Sequence, residues 1–193
     1  MFMKKKLKVT YNAPVILSFV LLCFGATVAG AITHNHSTEL IFSVYRGPVS
    51  NPLTYIRLFT HVLGHSGFEH FIGNATYLLL VGPMLEEKYG SANMLKMILC
   101  TAFVNAIIHC LLWGNCMLCG ASGIVFACIV LSSFTAFKEG ELPVSFILIA
   151  MLFVGQEVCR GIFMKDDISN ITHILGGFIG SIMGYSLNKK GNP

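Results

Sequence analysis

The stretch HILGGFIG, residues 173–180, decides how this chain folds. It lies in an apolar run over roughly 168–187, which is long enough to span a bilayer as a helix. Gly176, Gly180 and Gly184 recur at every fourth residue, so they share one face of that helix. A stripe of small residues lets two membrane helices approach closely. The stretch therefore predicts a membrane helix that packs tightly against a neighbour.

The composition also indicates a membrane protein. Of the 193 residues, 54% are hydrophobic and only 11% are charged, whereas soluble domains carry about 25% charged residues. Apolar runs predict six spans, at roughly 14–32, 70–86, 95–112, 120–137, 143–159 and 168–187. We therefore expect an all-α fold, a polytopic bundle of six transmembrane helices over roughly 14–188 without a separate soluble domain.

Lysine and arginine predict the orientation of this bundle. With residues 1–13 in the cytoplasm, nine of these cations fall on the cytoplasmic side and four on the outer side. Residues 189–193 are then also cytoplasmic, and the long segment 33–69 lies outside. This asymmetry accounts for the net charge of +4, so the charge does not indicate nucleic-acid binding. The short loops favour a multi-pass protein of the bacterial inner (plasma) membrane.

The first apolar run has a second interpretation. A basic start, an apolar stretch and the small residues of Val28–Ala31 resemble a cleavable signal peptide. The run of nineteen residues from 14 to 32 is long for such a peptide, which favours a retained first helix.

The outer loops contain the other candidate binding groups. The segment 33–69 is rich in histidine and aromatic residues, and its apolar content predicts short helices in the membrane interface. In the next outer loop, Cys116 and Cys119 form a C-x-x-C pair. A redox or metal role for this pair stays open, but one pair without further ligands is weak support. The sequence thus predicts neither a metal site nor a cofactor.

Four polar residues fall at one depth in the predicted bundle. Counted from the cytoplasmic ends of their spans at about 1.5 Å per residue, Ser122 and His173 both lie roughly 22 Å up. Asn74 and His70 lie roughly 18 and 24 Å up by the same count. The hydrocarbon core is about 30 Å thick, so this level is several Å below the outer surface. Polar residues at such depth are costly and usually functional.

These residue types suit nucleophilic catalysis. A serine hydroxyl is a weak nucleophile until a base takes its proton, and His173 is the candidate base for Ser122. Ser122 would lie at a helix N-terminus, where free N–H groups and the helix dipole can stabilise an oxyanion. Asn74 and His70 share one helix face and could supply further donors, and Gly120 lets the backbone turn tightly. Because no carboxylate lies at this depth near His173, the sequence predicts a Ser-His dyad.

The glycine stripe also predicts how the dyad is brought together. Gly123 and Ala127 form a small face on the fourth span, complementary to the stripe that begins at Gly176. Close packing of the two helices would bring His173 beside Ser122. Simple helix association is the alternative explanation of the stripe, but it accounts for neither Ser122 nor His173.

With these motifs the chain resembles the rhomboid family of intramembrane serine proteases. The resemblance runs from about Tyr55 to Tyr185. Each motif alone is weak, but together they occur in the family's order and on the expected helices: His70-x-x-x-Asn74, Glu87-Lys88-Tyr89-Gly90-Ser91, Gly120-x-Ser122-Gly123 and His173-x-x-Gly176-Gly177.

The resemblance implies a six-helix core with Ser122 as the nucleophile and His173 as the general base. It implies an oxyanion hole formed by the Ser122 N–H and the side chains of Asn74 and His70, with Gly120 as a further member. Transmembrane proteins with a single span are the implied substrates, cut where their helix unwinds. Structural support is implied for Gly123, Gly176, Gly177, Gly180 and, in the outer segment, Arg57.

The chain departs from the family pattern at two positions. Ile56 stands where a tryptophan usually precedes the arginine, and Thr172 stands where alanine usually precedes the histidine. Neither change touches the predicted dyad.

Two other functions remain open at this stage. One is a catalytically inactive rhomboid-like protein that binds transmembrane clients; such proteins typically lose the serine or the histidine, and this chain has both. The other is a small transporter in which His70, His109 and His173 relay protons, although that function leaves the Gly-x-Ser-Gly sequence unexplained. The substrate and the oligomeric state are not determined by the sequence.

Overall fold

A computed structural model describes residues 10–135, 144–145, 147–149, 151–152, 155 and 167–189. Within these ranges the chain is all-α, and its β-type pairing is one isolated bridge between Val44 and Leu118. Of the predicted span 143–159, residues 144–145, 147–149, 151–152 and 155 are described and helical, and its other residues lie outside the described part of the chain. The helices are α1 (Pro14–Ile32), α2 (His36–Leu40), α3 (Pro52–Thr60), α4 (Phe68–Tyr89), α5 (Ser91–Trp113), α6 (Ser122–Ser133) and α7 (Asp167–Lys189).

Four of these helices cover predicted spans and extend some of them by one to four residues. Of these, α1 and α5 are both long and apolar enough to cross a membrane. The other two, α4 and α7, have 22 and 23 residues, a length that suits a bilayer at about 1.5 Å per residue. The outer segment contains the two short helices α2 and α3.

The start of α1 is fixed by an acidic side chain from α4. Pro14 occupies the first turn of α1, and the next two N–H groups, of Val15 and Ile16, donate to the two carboxylate oxygens of Glu86, both at 2.9 Å. Ser91 Oγ donates to the same carboxylate at 2.6 Å. First-turn N–H groups have no partner within their own helix. Glu86, only 3% exposed, therefore caps α1 from a helix distant in sequence.

The helix α6 is shorter than the predicted segment 120–137. Gly120 has φ +133°, outside the helical range, and Ala121 caps the helix, so that Ser122 is its first residue. At the other end the Phe134 N–H bonds to Leu131 O at 3.0 Å in a tightened last turn. Residue 137, from which the depth of Ser122 was counted, lies outside the described residues, so the predicted depth stays a prediction.

Among the described helices, α6 and α7 pack together most extensively. Where Gly176 crosses α6, an added Cβ would lie only 2.0 Å from the carbonyl oxygen of Gly123. One turn later, a Cβ on Gly180 would lie 2.4 Å from the carbonyl oxygen of Ala127. Gly177 is different, because its Cβ would make an ordinary contact of 3.5 Å with Val130. Backbone touches backbone at the first two glycines only.

The outer segment is held to the helix ends by its arginines. Arg46 donates to the carbonyl oxygens of Cys110 and Leu111 at the C-terminal end of α5, at 2.7 to 3.1 Å. Arg57 is buried, donates to Leu40 O at 2.8 Å and lies over the Tyr45 ring, 4.3 Å from its centroid. These bonds satisfy helix-end carbonyls and anchor the loop.

The C-x-x-C pair is reduced in this structure. Cys116 and Cys119 are both free thiols, and burial raises the pKa of Cys119. Among the described residues no three His, Cys, Asp or Glu side chains group into a metal site.

Candidate active site

The candidate nucleophile begins a helix. Ser122 is the first residue of α6 and is partly exposed, whereas its neighbours Ala121 and Gly123 are buried. At this position its N–H is among those without an intrahelical partner. The sharp turn at Gly120 brings the chain into the helix.

The candidate base packs on the same helix. His173, 5% exposed, lies on α7, and its ring stacks on Phe126 with centroids 4.1 Å apart and planes 5° apart. Phe126 follows Ser122 by four residues, so the two share a face of α6. The His173 ring therefore packs against the residue one helical turn after Ser122.

A buried asparagine lies between the two strongly packed helices. Asn105 on α5 is 3% exposed, and its Nδ2 donates to the carbonyl oxygen of Thr172 at 3.4 Å. The same Nδ2 lies 2.4 Å from where a Cβ on Gly123 would be. Asn105 thus contacts the residue after Ser122 and bonds to the residue before His173.

His70 and Ser122 both lie on the side of Gly120 from which a side chain would project. A Cβ added to Gly120 would lie 3.0 Å from His70 Cε1, 3.2 Å from His70 Nε2 and 4.0 Å from Ser122 Oγ. The absence of a side chain at Gly120 therefore lets the edge of the His70 ring approach the backbone next to the nucleophile.

Asn74 adds an unused donor one turn along α4 from His70. It is 8% exposed, and within the described part of the chain its Nδ2 has no hydrogen-bond partner. A buried donor without a partner costs roughly 1–3 kcal/mol, so such a group indicates a ligand or a function. Asn74 lines a narrow gap together with His65 and Ala121.

The Gly120 N–H is already engaged. It donates to the carbonyl oxygen of His61 at 3.0 Å, so the Gly120 amide is not a free donor for the predicted oxyanion hole and Gly120 contributes its backbone conformation. The buried His61 ring bonds through Nδ1 to Arg57 O at 3.1 Å. Burial lowers the pKa of His61 to about 4, and the ring is neutral at pH 7. Arg57 therefore supports the site indirectly. Its main-chain carbonyl holds the His61 ring, and the His61 carbonyl oxygen accepts the Gly120 N–H.

His65 is a second neutral histidine beside the site. Its Nδ1 lies 3.1 Å from Leu63 O, and because a carbonyl only accepts, Nδ1 carries the proton. Burial lowers the pKa of His65 to about 4. Its ring meets the His70 ring edge-on, with centroids 5.0 Å apart. His65 thus fixes one side of the His70 ring.

Sequence reasoning missed several residues that surround the predicted site. Phe126 was discoverable from its position one turn after Ser122, and Asn105 from being an amide in an apolar helix. Glu86 gave no comparable signal, because the N–H groups that it caps lie on α1, about 70 residues away in sequence.

The comparisons with known proteins agree with these motifs. Residues 52–190 match the Rhomboid domain family. RHOMBOID-like protein 7 of Arabidopsis thaliana is 26% identical over 137 residues, 68% of this chain and 42% of that protein. Rhomboid-related protein 1 of Caenorhabditis elegans is 27% identical over 166 residues, 80% of this chain and 45% of that protein. Rhomboid protease GluP of Bacillus subtilis is 24% identical over 174 residues, 89% of this chain and 34% of that protein.

The chain spans less than half the length of each of these relatives. The family match itself covers the segments that carry His70, Ser122 and His173 together with the helices that present them. The match over residues 52–190 shows that the chain belongs to the rhomboid family of integral membrane proteins.

Proposed function

We propose that this chain is an intramembrane serine endopeptidase that cleaves single-span membrane proteins within or near their transmembrane segment. Ser122 is the nucleophile and His173 the general base. The observation that carries the proposal is the stacking of His173 on Phe126, one helical turn from Ser122, at centroids 4.1 Å apart. Backbone contact between Gly176 and Gly123 supports a fixed separation between the two helices.

The reaction follows from the roles of these groups. His173 takes the proton of Ser122 as Oγ attacks the scissile carbonyl carbon, and a tetrahedral oxyanion forms. When the intermediate collapses, the C–N bond breaks and the His173 imidazolium gives its proton to the leaving amine. The acyl-enzyme is then hydrolysed by water, with His173 again acting as the base.

The oxyanion is stabilised by donors around Gly120. The Ser122 N–H at the start of α6, the His70 ring and the unpartnered Asn74 amide are the donors. Donors fixed in advance where charge develops typically contribute about 10²–10³ in rate each. No metal or cofactor takes part in this reaction.

The membrane placement belongs to the same proposal. A six-helix domain, including a span over 143–159, has both termini in the cytoplasm and opens its active site toward the outer side of a bacterial plasma membrane. The substrate is a transmembrane helix, whose backbone must unwind before a peptide bond can reach Ser122. Small and helix-breaking residues at the cleavage site therefore favour cutting.

Cleavage of a single-span test substrate by the purified chain in liposomes tests this function. Ser122→Ala and His173→Ala should each abolish cleavage, whereas Ser132→Ala, on the same helix, should cleave as the wild type does. A fluorophosphonate probe should label the wild type and not Ser122→Ala. Cleavage that survives Ser122→Ala would overturn the mechanism. A folded wild type that neither cleaves nor takes up the probe would identify a non-catalytic, client-binding member instead.

A further inference from the structure

The His70 ring has a second polar contact, on the side away from the dyad. Ser66 Oγ lies 3.2 Å from His70 Nδ1. Ser66 precedes His70 by four residues and lies just before α4, which begins at Phe68. The hydroxyl therefore reaches the ring across the first turn of the helix.

The direction of this hydrogen bond decides which nitrogen of His70 carries the proton. A neutral imidazole has one N–H donor and one bare acceptor nitrogen, whereas a serine hydroxyl can donate or accept. When Ser66 donates to Nδ1, the ring proton is on Nε2. When Nδ1 donates to Ser66, Nε2 is bare and cannot donate to anything.

The Nε2 side of the ring is the side that faces the nucleophile. Nε2 lies 3.2 Å and Ser122 Oγ 4.0 Å from where a Cβ on Gly120 would be, so the Nε2 edge and the hydroxyl lie on the same side of Gly120. An oxyanion formed at Ser122 would face an N–H on this edge in one tautomer and a lone pair in the other. The second arrangement would repel the developing charge.

We propose that Ser66 is a positioning residue for the peptidase reaction, because its hydroxyl donates to His70 Nδ1 and keeps the ring proton on Nε2, aimed at the oxyanion. This inference rests on the proposed function of Ser122. His65 cannot do the same work, since its own proton is on Nδ1 and is engaged with Leu63 O at 3.1 Å. It restrains the ring by its edge-on contact.

The expected effect is moderate and confined to the chemical step. Ser66 is exposed, so water competes for Nδ1 and the net value of the bond is that of an ordinary hydrogen bond. We expect Ser66→Ala to lower kcat about threefold to tenfold. KM should be unchanged, because the oxyanion exists only in the transition state.

The test compares five variants of the full chain with the wild type in liposomes. Ser66→Ala removes the hydroxyl, Ser66→Thr retains it, and Ser50→Ala is the control in an exposed turn of the same outer segment. His70→Ala, alone and combined with Ser66→Ala, measures whether the serine acts through the histidine. The tautomer is read from ¹⁵N spectra of histidine-labelled wild type and Ser66→Ala in micelles, assigned with His70→Ala.

The proposal expects reduced kcat in Ser66→Ala, recovery in Ser66→Thr, no change in Ser50→Ala and no further loss when Ser66→Ala is added to His70→Ala. The wild-type spectrum should show His70 protonated on Nε2, and Ser66→Ala should populate both tautomers. A wild-type His70 protonated on Nδ1, or equal losses with and without His70, would overturn it. The spectrum decides the tautomer even if no substrate is cleaved, so failure of the proposed function is distinguishable.

Discussion

Gly176→Ala and Gly177→Ala, made one at a time on α7, distinguish the effect of close helix packing from the effect of helix propensity. In Gly176→Ala the new Cβ lies 2.0 Å from the Gly123 carbonyl oxygen and 2.8 Å from its carbon, where ordinary contact begins at 3.4 Å. These are backbone atoms that cannot rotate away. The two helices must therefore separate by about 1 Å or more, and a shift of that size can lower a rate about 10²-fold.

The neighbouring substitution is the matched control. In Gly177→Ala the Cβ lies 3.5 Å from Val130 Cγ2, an ordinary contact. Alanine favours a helix over glycine by about 1 kcal/mol, so Gly177→Ala should be as stable as the wild type or slightly more so. Gly176→Ala has the same propensity gain but an overpacking cost of about 1–3 kcal/mol. Its net loss of stability is therefore small.

Cleavage of a single-span substrate in liposomes checks the predicted rates, and unfolding in dodecyl sulfate, measured in parallel, checks the predicted stabilities. We expect kcat/KM of Gly176→Ala to fall about 10²-fold while the protein stays folded. Gly177→Ala should cleave at the wild-type rate. Wild-type activity in Gly176→Ala, or equal damage from both substitutions, would refute the reasoning that the Gly176–Gly123 contact sets the position of His173.

Three further predictions concern other parts of the site and its support. Glu86→Gln should leave one first-turn N–H of α1 without an acceptor and lower stability by roughly 1–3 kcal/mol; the exposed Glu87→Gln is the control, and equal unfolding midpoints would contradict the capping role. Gly120→Ala should reduce kcat about 10²-fold, because φ is +133° and the new Cβ would lie 3.0 to 3.2 Å from the His70 ring and displace it; an unchanged rate would contradict the role of the His70 ring in the oxyanion site. Burial lowers the pKa of His61 and His65 to about 4 from 6.5, so the unfolded chain binds more protons between these values. Stability should be full above pH 6.5 and fall toward pH 4, and a flat midpoint across this window would contradict the burial of both rings.

Hydropathy and local sequence patterns were enough to predict the long described helices α1, α4, α5 and α7. The apolar run of α1 and the proline in its first turn predict where that helix begins. At α6 the same approach predicted too long a helix, because hydropathy does not register the positive φ of Gly120 or the tightened turn at Phe134. Chain conformation at a few residues, not composition, sets those two ends.

The candidate site was predictable where its residues form short motifs. Ser122 and His173 each carry a neighbouring glycine pattern, and His70 and Asn74 are one helical turn apart. The partners that orient them were not predictable in this way. The Asn105 amide donates to the Thr172 carbonyl, 67 residues away in sequence. Every residue type has a main-chain carbonyl, so the sequence does not show which residue accepts such a bond.

The sequence by itself determined that this is a helical membrane protein of the rhomboid family with a serine and a histidine in glycine-rich helices. Periodicity and hydropathy depend on residues that are close together in sequence, so they can be determined without a structure. Only the tertiary structure decided that Glu86 caps α1, that His173 rests on Phe126 and that the Gly120 N–H belongs to His61. Each of these contacts joins residues brought together by packing, and their distances depend on how closely the glycines let the helices approach.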